Sequence, residues 1–417
     1  MHRLSPKATY VTILGAEGFA RGLLFVALVS YWVVQARLNP LQLVLLGTAL
    51  EGTLFLLQVP TGAFADAIGR RPATVIGYAL LGAGLGLQAF TRDFGSLLVL
   101  QAISGGAWAF LIGSIEAWIA QQAGTDGLER VFLRGGQAGM AGLMVGLCMT
   151  VLAGQVDPRL PIVAGGALLV VVSAMAAVLM TEEPISRSPG SKSRWREIVA
   201  AGATGARRIG ANRTLFVLVL VALALGISSE GWDRLYTAHL MRDLHLASVG
   251  HLAPVGWLAL VGLAEGCLGL VAFQLAMPRV AGREPGALLS ALYVSRAALM
   301  VCFALIPWLP AALAAFLGAE TVRRLAEPLI DAWIARETPQ EVRATVLSVV
   351  GQADSLGQIA AGPLVGLLGS VASVAAALTA SAGLMLPAGL LALRAGRDAA
   401  PVSVSPDPAR ADLSPPE

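Results

Sequence analysis

Gly62-Ala63-Phe64-Ala65-Asp66-Ala67-Ile68-Gly69-Arg70-Arg71-Pro72 is a short charged interruption between two long apolar runs, 41–63 and 73–91. Each run is long enough to cross the ~30 Å of a bilayer's hydrocarbon at 1.5 Å per residue, so the stretch reads as a loop joining two membrane spans. Gly62 is expected to end a helix where two helices approach, and Gly69 to permit the tight turn. Asp66 is placed to accept from free N–H groups at a neighbouring helix N-terminus. Arg70 and Arg71 face the membrane rim.

The same reading extended outward finds twelve apolar stretches: 10–34, 41–63, 73–91, 96–120, 131–155, 160–181, 215–238, 249–275, 286–306, 310–335, 342–368 and 371–394. The composition agrees. Of 417 residues 56% are hydrophobic and only 13% charged, with a mean hydropathy of +0.73, too little charge to clothe a soluble core. The 47 glycines fit closely packed membrane helices. With 29 Lys and Arg against 26 Asp and Glu, the net charge of +3 argues against nucleic acid as a partner. Cys148, Cys267 and Cys302 lie in apolar runs and are expected to be buried free thiols. No metal site, cofactor or catalytic set is expected, so the chain does not read as an enzyme.

In and beside the connections, Lys and Arg number 19 on the side of the termini and 4 on the other, which makes both termini cytoplasmic in a cell (inner) membrane. The expected organisation is a six-helix half at 1–181, a cytoplasmic linker at 182–213, a second half at 214–395 and a disordered tail at 396–417. Trp195, Ile198 and Val199 beside Arg194 and Arg196 predict a short surface helix in the linker.

The halves repeat. Glu17-Gly18-Phe19-Ala20-Arg21 recurs as Glu230-Gly231-Trp232-Asp233-Arg234, Glu51-Gly52 as Glu265-Gly266, and Glu116-Ala117-Trp118-Ile119-Ala120 as Asp331-Ala332-Trp333-Ile334-Ala335. The displacement stays between 213 and 215 residues. Two parallel halves with ligand bound between them is a known transporter architecture. The fold class is thus all-α integral membrane, twelve transmembrane helices in two pseudo-symmetric six-helix bundles.

The 62–72 loop resembles the signature of the major facilitator superfamily: a Gly, an Asp four residues on, and a Gly followed by two basic residues. Ala67 departs from it, since the family often carries a basic residue there. The resemblance implies that Asp66 latches to the start of span eleven, around Val342 to Thr345. It also implies that an arginine pairs with an acid at the inner end of span four, for which Glu116 is the candidate, with Asp331 as its repeat equivalent. The chain further resembles the drug:proton antiporter branch, although Gln101 stands where that branch commonly has a basic residue.

Charge at the bilayer centre costs at least ~2.5 to 3.5 kcal/mol per residue, so ionisable residues within spans are functional candidates. Glu17 and Arg21, like Glu230 and Arg234, are four apart and can pair within a helix. Glu51 and Glu265 lie near mid-depth without a cation on their own helix, and these two are expected to take up and release protons. Arg296 is the expected partner for one of them, and Asp354 a further cavity residue. Glu320, Arg324, Glu327 and Asp331 share a stripe of span ten that either lines the cavity or pairs internally, Glu320 with Arg324 and Arg323 with Glu327. Trp32, Trp108, Trp118 and Trp232 are expected to line the cavity. The sequence therefore predicts a monomeric secondary transporter that exports small hydrophobic or cationic compounds against protons. The alternative is an importer or uniporter of a polar nutrient.

Overall fold

The computed structural model describes residues 4–123, 127–181, 207, 209–246, 249–280, 283–339 and 342–398, and these are all-helical. The surface helix expected around Trp195 and the tail from 399 onward lie outside the described residues. In the first half, α1 is Pro6–Ser30, α2 Pro40–Ile68, α3 Arg70–Gly86, α4 Phe94–Leu111, α5 Ser114–Ala123, α6 Leu128–Val156 and α7 Leu160–Leu179. In the second, α8 is Arg213–Ala238, α9 Pro254–Val280, α10 Pro285–Leu305, α11 Leu309–Glu337, α12 Arg343–Val371 and α13 Val374–Asp398. Span four is thus α4 plus α5, broken at Ile112 and at Gly113, whose φ is +72°. Ten spans are long and apolar enough to cross a membrane; α11 and α12 have the length, at 29 residues each, but more polar composition.

Helix starts are written into local side chains. Asn39 and Gln42 form a reciprocal capping box at α2, Asn212 accepts from the Leu215 N–H at 3.2 Å, and Glu284 accepts from the N–H groups of Gly286 and Ala287. At α4 the Asp93 carboxylate accepts from both the N–H and the hydroxyl of Ser96, which holds its carboxyl below the usual range. That cap is present above the carboxylate range and weakens as pH falls through it.

Within the first half α1 packs on α6 and α7, α3 on α7 and α4, and α2 on α4. The second half repeats this with α8 on α12 and α13, α10 on α13 and α11, and α9 on α11. Backbones meet where side chains are missing: a Cβ on Gly18 would strike the Gly139 carbonyl, and one on Gly226 the Asp354 carbonyl. Large apolar side chains such as Leu152, Val178, Leu364 and Leu390 cover the outer surface, as a hydrocarbon solvent requires. The three cysteines are free but exposed, not buried as their apolar runs predicted, because in a bilayer an apolar run also faces outward.

Gly69 joins α2 to α3 at φ 130° and ψ 156°, a region only glycine occupies readily. Gly69→Ala is expected to cost about 1–3 kcal/mol, read as a lowered thermal midpoint of the purified protein. An unchanged midpoint would show that the turn is free to relax.

Candidate functional site

The halves meet along α2 with α12 and along α6 with α9, and hydrogen bonds between them hold the side away from the termini. There the Leu41 N–H donates to Ser370 Oγ at 2.9 Å, and the Ala253 N–H to Gln155 Oε1 at 3.0 Å. One Arg242 nitrogen donates to the carbonyls of Val33 and Leu38, both at 2.8 Å. Toward the terminus side, Gly62 on α2, Gly136 on α6 and Gly351 on α12 face open space. A cleft between the halves is therefore closed at one end and open at the other.

Arg242 comes from a wide π-helical turn, His239–Asp243, that ends α8; its acceptors lie in and beside the matching turn that ends α1, Tyr31–Gln35. Each turn is followed by a non-glycine residue with φ 53°, Arg37 and His245. Hydrogen bonds from a charged donor contribute about 1.5–3 kcal/mol. Arg242→Ala is thus expected to shift the balance toward opening at this end by about tenfold or more. In a protein with its three native cysteines replaced by serine, a cysteine placed at Thr48 should then react faster with an impermeant maleimide added on that side. An unchanged rate would remove Arg242 from the seal.

At mid-depth the seam carries charge. Glu51 of α2 accepts from the Ser355 hydroxyl of α12 at 3.2 Å, a bond between the halves. Glu230 pairs with Arg234 at 3.1 Å on α8, almost wholly buried against α2, where Gly47 leaves the room a Cβ would fill. Arg234 also acts electrostatically on Glu51. One guanidinium thus serves two carboxylates from opposite halves.

The other acids found partners that helical spacing alone does not show. Glu17 keeps Arg21 at 3.7 Å, but its hydrogen bond comes from the Tyr78 hydroxyl of α3 at 2.8 Å. Arg21 lies over the rings of Phe25 and Trp108, at 5.5 and 5.7 Å. Glu265 pairs with Arg324 of α11, so the pairing of Arg324 with Glu320 inside span ten does not form. Glu320 instead accepts from Trp232 Nε1 at 2.8 Å and lies 3.6 Å from Arg296. Arg296 is therefore the neighbour of Glu320 and not of Glu51 or Glu265. The expected Arg323–Glu327 pair forms at 2.9 Å, and Arg323 also binds Asp233 at 2.7 Å. Asp354 on α12 accepts from Gln358 at 2.7 Å.

Around the loop, α2 runs on through Gly62 to Ile68, so Gly62 ends no helix. Asp66 pairs with Arg70 across the Gly69 turn, and Arg71 donates to the Ala177 carbonyl at the end of α7. Both contacts lie within the first half. Glu116 and Asp331, at the terminus-side ends of spans four and ten, are exposed and make no ion pair among the described residues. Three of the four tryptophans expected in the cavity are packed away: Trp32 donates to Gln88, Trp118 to the Thr181 carbonyl and Trp232 to Glu320. Only Trp108 remains half-buried.

The Major Facilitator Superfamily model matches residues 11–322. Among solved structures, a point mutant of the nucleoside transporter NupG is similar at TM-score 0.75 and 15% identity, covering 94% of this chain and 100% of that one. A POT family transporter in complex with a thioalcohol-conjugated peptide reaches 0.72 at 10% identity, covering 94% and 96%. A bacterial homolog to the human lysosomal transporter Spinster, inward-facing and unoccupied, reaches 0.70 at 14%, again covering 94% and 96%. A search of curated protein sequences finds no significant match. At these identities the structures show a common fold. With three quarters of its length under the family model and the whole architecture shared, this chain belongs to the major facilitator superfamily.

Proposed function

We propose that this chain is a proton-coupled secondary transporter of the drug:proton antiporter kind, exporting small hydrophobic or cationic compounds across the cell membrane by alternating access. The observation that carries the reading is the Glu51, Glu230 and Arg234 cluster on a seam that must part when the cleft changes sides. Two acids and one cation bear a single excess negative charge, and one proton neutralises it. With the termini cytoplasmic, the open end of the cleft faces inward. The Arg21 guanidinium against Phe25 and Trp108 supports the cargo class, since those aromatic faces accept a cation.

A polar metabolite moved by the same cycle is the second reading, favoured by a buried arginine and tyrosine in the second half whose polar atoms lack hydrogen-bond partners among the described residues. The test is ethidium flux in proteoliposomes under an imposed pH gradient. Accumulation that follows the gradient and collapses with a protonophore is expected. Flux indifferent to the gradient would overturn proton coupling.

A further inference from the structure

The second half holds a cavity of 340 Å³ between α8, α10, α11 and α12, within the size range of small-ligand sites. Its walls differ in charge and in commitment. Arg296 and Tyr293, one turn apart on α10, are only 5% and 3% exposed. Two guanidinium nitrogens of Arg296 and the Tyr293 hydroxyl find no hydrogen-bond partner among the described residues; Glu320 stands 3.6 Å from the guanidinium, beyond hydrogen-bond reach. Arg323, also on the wall, is already taken by Asp233 and Glu327. On the same lining, Asp331 is exposed and makes no ion pair among the described residues, and Asp354 is held by Gln358 of its own helix.

A buried guanidinium and phenol lacking acceptors are costly, and removing them from water is compensated only when an acceptor arrives. The acceptor that fits a planar guanidinium is an oxyanion with two parallel lone-pair sites, a carboxylate. Acids on the same lining suit an ammonium on the same molecule. We propose that this cavity binds the head of the cargo, and that the head is an amino carboxylate: carboxylate to Arg296 and Tyr293, ammonium to Asp354 and Asp331. This rests on the second reading above, a polar metabolite moved by the same cycle, and is independent of the direction of transport.

The test is thermal stability of the purified full-length protein titrated with L-phenylalanine, 2-phenylethylamine and 3-phenylpropanoate, and with L-alanine, ethylamine and propionate. Within each set only the charged groups differ. An amino carboxylate is expected to raise the midpoint most, its carboxylate counterpart less and the amine least. Arg296→Gln should weaken the apparent affinity for the amino carboxylate at least tenfold while raising the midpoint of the empty protein, because an unsatisfied buried charge has gone. Tyr293→Phe should weaken it less. A purely structural Arg296, holding Glu320 for Trp232, would instead lower the empty midpoint and leave the ranking of probes unchanged in whatever protein folds. The proposal is overturned by that result, by equal shifts from all three classes, or by no shift from any. If the shifts fail while ethidium still follows the pH gradient, only this site is wrong. If flux ignores the gradient while the shifts hold, only proton coupling is wrong.

Discussion

Glu51→Gln is expected to cut pH-driven flux by about a hundredfold or more, the scale seen when an essential proton-transfer group is removed, and to leave a folded protein. The amide oxygen still accepts from Ser355, so the bond between α2 and α12 survives, but the group no longer titrates. Arg234, Asp233, Glu230 and Asp354 are the charges that act on this position, and all four remain in place. Facilitated exchange at equal pH on both sides should persist. Glu230→Gln should behave differently. It removes the carboxylate hydrogen-bonded to a buried arginine, a change that typically costs about 3–5 kcal/mol, so its first effect should be loss of folded protein. Fluorescence-detected size exclusion for folding and gradient-driven flux for coupling separate the two. Coupled flux through Glu51→Gln would remove this carboxylate from the proton path.

Gly226→Val is expected to destabilise by about 3 kcal/mol or more, at or beyond the upper end of ordinary overpacking. The new side chain would meet the backbone of Asp354, and backbone cannot step aside as a flexible side chain can. On the facing helix, Gly357 has the same intolerance toward the Leu223 carbonyl, so α8 and α12 cannot separate locally without moving along the whole crossing. Gly351→Val, about two turns from Gly357 on α12 but with nothing within 4 Å of its Cβ position, is the matched control and should leave the thermal midpoint nearly unchanged. Equal losses from both would mean that helix propensity, not packing, sets the cost. Gly18→Val against the Gly139 backbone should repeat the result in the first half.

The parts of this fold that the sequence makes legible are those governed by one helix at a time. Span positions follow from apolar runs, helix starts from Asn39, Asp93 and Glu284, and the α2–α3 turn from Gly69. The i, i+4 pairs Glu17–Arg21, Glu230–Arg234 and Arg323–Glu327 follow from helical spacing. What the periodicity cannot fix is which helix a given face meets. Arg324 turns to Glu265 instead of to its own Glu320, Arg296 sits by Glu320, and Tyr78 reaches Glu17, each a contact between different helices. The wide turns after α1 and α8 carry no Pro or Gly to announce them, and Arg242 had no reason to stand out until its two carbonyl acceptors were placed opposite. Tryptophan in an apolar run reads as cavity lining only until its ring N–H finds a buried acceptor, as Trp32 and Trp118 do.

In the proposed cycle, protonation at Glu51 shifts which end of the cleft is open. Neutralising Glu51 weakens the attraction across the seam to Arg234 and frees the closed end to part. The test is the distance between spin labels at Gly62 and Gly351, which face open space on opposite halves, recorded across pH in lipid nanodiscs on protein with its native cysteines replaced. The distance should shorten as pH falls in the otherwise unaltered protein, and with Glu51→Gln its distribution should be biased toward the short distance by the same amount at every pH, both states staying populated. A distribution that ignores pH, or one that still responds to pH in Glu51→Gln, would contradict it.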